Sequence, residues 1–235
     1  MKQITFWSCL LFAAAHTASA DVLAQWTFET SLPAFTGAST NGIIPEVGTG
    51  SAGGTHASSA TVYSTPSGNG SAHSFSANTW ALGDYYQFQT STLGFSGTRI
   101  SYDQTSSATG PTHFQFSYST DGSTFTPFVA DYTVLTNATS ANNSGTGFST
   151  TAWGPTTPQP AFNVSLDLSS ITALDNISTA YFRVVDNTAS SPSGGTDRID
   201  NFTISATPVS VPEPSVFVLS GLGLAALLGS RKLRR

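Results

Sequence analysis

Cysteine is all but missing from this chain. Cys9 is the one thiol among 235 residues, and it falls in an N-terminal segment that reads as a leader. The body is therefore expected to use no disulfide, no thiol nucleophile and no cysteine-based metal site. Charge is scarce as well: charged residues make up 9% of the chain, against about 25% in ordinary soluble domains. The basic ones are scarcest. Between Asp21 and Ser210 only Arg99, Arg183 and Arg198 stand against twelve acids, a net charge of −9. Such a surface cannot neutralise a phosphate backbone, so nucleic acid is excluded as a partner, whereas cation binding stays open.

Recognisable catalytic patterns are missing too. There is no Gly-x-Ser-x-Gly elbow, no His-Glu-x-x-His helix and no phosphate loop. Glu29 and Glu46 are the only glutamates of the body, and no pair of acids is spaced to suggest a glycosidase. His56, His73 and His113 lack ligand spacing and read as loop or strand-surface residues. The expectation is a protein that is not an enzyme. A secreted hydrolase whose acids converge only in space is the alternative.

What the chain does have is aromatic and hydrophobic content, 11% and 39%, in a background of Ser, Thr, Gly and Asn. Disordered segments lack the aromatics, so the body is expected to fold. Period-two alternation predicts strands over 22–28, 60–64, 85–90, 99–104, 113–119, 125–132, 162–168, 180–185 and 198–205. Asp121-Gly122 supplies a tight turn between the fifth and sixth of these. One helical turn is expected over 168–174, capped by Asp167, Ser169 or Ser170. The polar tracts 36–59 and 136–160 read as long loops. No sustained helical period appears. The fold class is therefore all-β, an antiparallel jelly-roll β-sandwich spanning 21–210.

Both ends read as processing segments. Lys2, an apolar run over 4–15 and Ala18-Ser19-Ala20 compose a signal peptide over 1–20. Small residues at Ala18 and Ala20 direct signal peptidase to cut before Asp21. Phe6-Trp7-Ser8 ahead of Cys9 lacks the small residues that a lipoprotein cut requires. At the other end, Val211-Pro212-Glu213-Pro214 precedes an apolar stretch over 215–230 and the cluster Arg231-Lys232-Leu233-Arg234-Arg235. The prolines keep Glu213 in extended, accessible chain. The apolar stretch makes a transmembrane helix of about 24 Å, short of an about 30 Å hydrocarbon core unless its flanks snorkel. The basic cluster stays on the cytoplasmic side.

The order of proline-framed glutamate, apolar span and basic end over 211–235 resembles the PEP-CTERM sorting signal. The resemblance implies recognition of Pro212, Glu213 and Pro214 by an exosortase, with transient anchoring in the inner membrane. It also implies delivery to the cell surface or extracellular matrix of a Gram-negative bacterium that makes extracellular polysaccharide.

A second, looser resemblance lies in the body. Trp26-Thr27-Phe28-Glu29 near its start and Asp197 to Ile204 near its end are similar to segments of jelly-roll carbohydrate-binding modules. There such acids meet at a structural Ca²⁺, which implies Glu29 and Asp200, with Asp197, as oxygen ligands. Read from the residues alone, Asp197 equally caps a loop and Asp200-Asn201 are solvent-facing polar positions. Trp80, Trp153, Tyr85 and Tyr86 are the candidates for stacking on sugar rings, Trp80 and Trp153 in loop-like settings; packing in the core is the alternative for each. The functional expectation is a non-enzymatic surface or matrix protein associated with exopolysaccharide, with a carbohydrate-binding module as the alternative.

Overall fold

The computed structural model describes residues 19–137, 152–188 and 195–209. The sorting tail, its apolar stretch and most of the leader, including Ala18, lie outside the described residues. Among the described residues no helix is long and apolar enough to cross a membrane.

Among the described residues fourteen strands follow one another: β1 Asp21–Trp26, β2 Phe35–Thr36, β3 Ser39–Ile43, β4 Val47–Gly48, β5 Ser51–Thr55, β6 Val62–Ser64, β7 Phe75–Asn78, β8 Tyr85–Thr90, β9 Phe95–Ser106, β10 His113–Ser119, β11 Thr126–Thr133, β12 Asn163–Asp167, β13 Ala180–Asp186 and β14 Thr196–Pro208. They build two antiparallel sheets. The first runs β12-β9-β14-β7-β6-β2, with β1 paired to both β14 and β4; the second runs β11-β10-β13-β8-β5-β3. The molecule is thus an all-β jelly-roll sandwich.

Alternation explains what fills it. Along β8, Tyr86, Phe88 and Thr90 turn inward and Tyr85, Gln87 and Gln89 outward; along β13, Phe182 and Val184 turn inward and Tyr181, Arg183 and Val185 outward. Side chains of successive strand residues point to opposite faces. The buried layer is aromatic. Phe88 stacks on Phe202 at 3.5 Å between centroids, and Trp26 meets Phe88 edge-on at 5.3 Å. The Trp26 indole N–H donates to the Ile43 carbonyl at 2.9 Å, so its polar atom is not stranded.

β14 is the strand on which the first sheet turns. Its first half pairs with β7 and its second half with β1, both on the side away from β9. Asp197 and Ile199 face inward, and so do Phe202, Ile204 and Ala206, which have the other parity. A register shift between Asp200 and Thr203, with Asn201 at φ 53°, inserts the extra residue that permits this. The bulge buries Asp200 beside Ile199 instead of turning it to solvent.

Two expectations are corrected here. The tract 36–59 is not a loop: β3 and β5 lie within it, with Ala52, Gly53 and Gly54 buried. Its residues are too small to show an apolar alternation. A side chain at Gly53 would stand 2.2 Å from the Thr40 carbonyl, so only glycine lets β3 cross so near. The turn over 168–174 narrows to a 3₁₀ turn at Thr172–Leu174 without a side-chain cap, although Asp167 does accept the Ser169 N–H at 2.9 Å.

Candidate functional site

The outward side chains of β8 form one wall of an open groove on the second sheet. Its volume is about 450 Å³, and β3 from Ser39 to Gly42 and β5 from Ser51 to Thr55 complete it, with Tyr85, Gln87 and Gln89 from β8. No carboxylate, imidazole or cationic side chain lines it. The lining offers hydroxyls, primary amides, backbone edges and one phenol ring. Each hydroxyl and amide can both donate and accept.

One neighbour carries charge. Arg183 lies opposite Gln87 in the β13–β8 register, and its Nε donates to Gln87 Oε1 at 2.8 Å. Its guanidinium is held between two rings, 3.8 Å from the Tyr85 centroid and 3.6 Å from that of Phe125. Phe125 reaches this position because the Asp121-Gly122 turn closes as expected. Asp121 Oδ1 accepts the Ser123 and Thr124 N–H groups at 2.8 Å, and Gly122 takes φ 73°. These backbone bonds hold the Asp121 carboxyl down at about 2.

The anticipated stacking residues divide. Tyr85 is half exposed on the groove wall. Tyr86, Trp80 and Trp153 are 0%, 2% and 6% exposed and are not available to a ligand. Tyr86 has the inward parity of β8 and donates to the Asp197 carbonyl at 2.9 Å. Trp80 packs on His56 and Phe114, with its N–H on the Ala77 carbonyl. Trp153 closes over Phe162, with its N–H on the Ser67 carbonyl. His56 is likewise buried rather than on the surface, 3.2 Å from Asp84, and burial holds its pKa below the usual range. His113 stands at the surface beside Asp131, 3.0 Å away. Gln87, Gln89, Arg183 and Phe125 were not singled out in the sequence. The alternation of β8 was the available signal, since it separates Tyr85 from Tyr86.

The acids also divide. Glu29 and Asp200 reach the same loop: Glu29 accepts the His73 N–H at 2.8 Å, and Asp200 Oδ2 accepts from the Asn69 N–H at 2.8 Å and the Ser71 hydroxyl at 2.6 Å. Ser71 Oγ also lies 3.1 Å from the His73 carbonyl. Gly68 leaves room there, because a Cβ on it would come within 2.0–2.3 Å of Ser71 Oγ, Asp200 Oδ2 and the His73 carbonyl. Asp197 does not join them. Its carboxylate is fully buried on the inward face and is held by Gln104 Nε2 at 3.2 Å and Ser106 Oγ at 2.8 Å. Among the described residues, no three His, Cys, Asp or Glu side chains gather into a metal-binding group. Glu46 has a structural task, accepting the N–H groups of Thr27, Thr30 and Ser31.

Comparisons with known proteins bear mainly on the C-terminal segment. Residues 210–235 match the PEP-CTERM protein-sorting motif. The chain is thus an exported protein, sorted by way of the membrane to the cell surface by an exosortase. No curated protein matches the chain. Similar solved structures include a cleaved adhesin domain of Lys-gingipain from Porphyromonas gingivalis, 14% identical, covering 79% of this chain and 100% of that one, with a TM-score of 0.43. The CBM22-1–GH10 modules of endo-1,4-beta-D-xylanase 10B from Clostridium thermocellum, complexed with xylohexaose, are 12% identical, with 83% of this chain and 30% of that one covered and a TM-score of 0.42. TmCBM61 in complex with beta-1,4-galactotriose is 12% identical over 76% of this chain and 92% of that one, with a TM-score of 0.34.

Proposed function

We propose that this protein is a non-enzymatic surface or matrix component of a Gram-negative bacterium, released from its leader by signal peptidase, whose sandwich binds extracellular polysaccharide in the groove of β3, β5 and β8. The observation that carries this reading is the lining itself. An open, uncharged trough of amides and hydroxyls with one ring on its wall suits a chain of sugars, which presents hydroxyls at its edges and apolar C–H faces. It suits hydrolysis poorly, because no acid or base stands in it.

The test is retention of the full chain, in detergent, on bead-coupled polysaccharides. Tyr85→Ala, or Gln87→Ala together with Gln89→Ala, is expected to weaken retention about tenfold, the loss of one or two net hydrogen bonds or a stacked ring. No reducing ends should be released from the bound polymer. Retention of no polysaccharide, or retention indifferent to these three side chains, would sink the reading.

A structural Ca²⁺ joining the first and last strands belongs to the same proposal. Glu29, Asp200, the His73 carbonyl and the Ser71 hydroxyl are hard oxygen donors around one loop, which is the donor chemistry Ca²⁺ takes. Asp197 is not among the residues that would hold it.

A further inference from the structure

The groove has a cation at its side that answers to no acid. Arg99 pairs with Asp167 at 3.4 Å, and among the described residues the only polar partner of the Arg183 side chain is the neutral Gln87, through Nε. Neither Nη group has an acceptor among the described residues. Yet the body carries four acids for every arginine, and among the described residues only Arg99 is ion-paired; of the two others, Arg183 is the one beside the groove. Asp121, one turn away, spends its carboxylate on its own loop. Meanwhile the guanidinium plane is fixed by the rings of Tyr85 and Phe125 and by Gln87, which leaves its outer fork preorganised. A clamped planar fork with free Nη donors matches one partner geometry best, the two oxygens of a carboxylate.

We propose that the groove selects an acidic polysaccharide, with the carboxylate of a uronic acid residue bound by Arg183 while neighbouring sugars lie along Gln87 and Gln89. This deepens the polysaccharide reading and rests on it. The net charge of the body opposes any polyanion at long range. Screening over about 8 Å at physiological salt confines that opposition to nearby charges, and the groove lining has none. The decision is therefore local, between Arg183 and the incoming carboxylate.

The experiment compares polygalacturonate with the same polymer fully methyl-esterified, each coupled to beads, using the full chain in detergent. Wild-type protein is expected to bind the acid form at least about tenfold more tightly, the worth of a charge-assisted pair. Arg183→Met should abolish that difference. Arg183→Lys should keep only part of it, since an ammonium cannot offer the fork. Thermal unfolding of each variant checks its fold, and the wild-type comparison stands even if a variant fails to fold. Equal binding of acid and ester by wild type, with both still dependent on Tyr85 and Gln87, would overturn the uronate assignment and leave the polysaccharide reading intact. Binding of neither, or binding of both without dependence on the groove, would overturn the two together. Equal retention of dextran sulfate and polygalacturonate would overturn selection of a carboxylate as such.

Discussion

Asp200 is a buried carboxylate whose partners, the Asn69 and Asn201 N–H groups and the Ser71 hydroxyl, all lack positive charge. Burial, with a smaller contribution from nearby Asp103, raises its pKa to about 6 despite those bonds. The sign of the consequence follows. The native state takes up this proton near pH 6 and the unfolded chain only near pH 4, so ion-free protein loses stability as pH rises from about 4 to about 6. The loss has an upper bound of about 3 kcal/mol. A calcium ion would favour the ionised form, so its stabilisation should be larger at pH 7.5 than at pH 5. The measurement is thermal unfolding at both values with calcium, with chelator, and with magnesium as the control for screening. Asp200→Asn should flatten the dependence between pH 4 and 6, and with Glu29→Gln should remove any shift specific to calcium. A calcium shift equal to that of magnesium, or intact in both variants, would refute the site. At this scale the sequence was half legible. Glu29 and Asp200 were named and do meet one loop. Asp197, of identical chemistry and three residues away, points into the sandwich, and only the strand parity distinguishes it.

At the scale of elements, long strands announced themselves and short or glycine-rich ones did not. β8, β10, β13, half of β9 and most of β14 coincide with runs of alternating large and polar residues, whose large members are the core. β3 and β5 consist of Ser, Thr, Asn, Gly and Ala with one Ile. They are strands because β5 pairs along β8 and β3 along β5, a tertiary cause that no local pattern carries. The groove was hidden for the same reason, since two of its three walls are these strands. The bulge of β14 is testable on its own. Asn201 occupies a left-handed backbone and gives its amide to Asp103 at 2.9 Å. Asn201→Val combines a β-branched residue at positive φ with loss of that bond, and is expected to cost about 2–3 kcal/mol. That would lower Tm by roughly 5–10 °C in a domain of this size. Asn201→Gly relieves the backbone and loses only the amide, so its effect should be the smaller. If the two variants melt alike, the left-handed backbone is not what the bulge depends on.

For the whole molecule, the sandwich and its sorting tail make separable demands. The last strand ends at Pro208, and Pro212 follows four positions later. An extended tetrapeptide spans at most about 14 Å, so an exosortase must work close against the folded body. Replacing Pro212, Glu213 and Pro214 together with Ala permits helix to run through the recognition segment. It should leave an unprocessed, membrane-held precursor whose body unfolds at the same temperature as that of the parent protein. Fractionation of cells and intact mass of the product check this. Normal processing of the triple variant would show that hydrophobicity alone directs the tail.

The seating of Asp21 opposite Ala206 has a meaning in time. An exported chain crosses the membrane with its N-terminal end leading, so β1 arrives on the far side first. The strand it pairs with along its whole length, and which also completes β7 and β9, comes almost last. Leu23, Ala24 and Trp26 must wait for their β14 cover through nearly the entire passage. Closure and arrival of the sorting motif are then separated by only a few residues of translocation. The polypeptide becomes a folded object and a substrate for its sorting enzyme at almost the same moment, on the same spot of membrane.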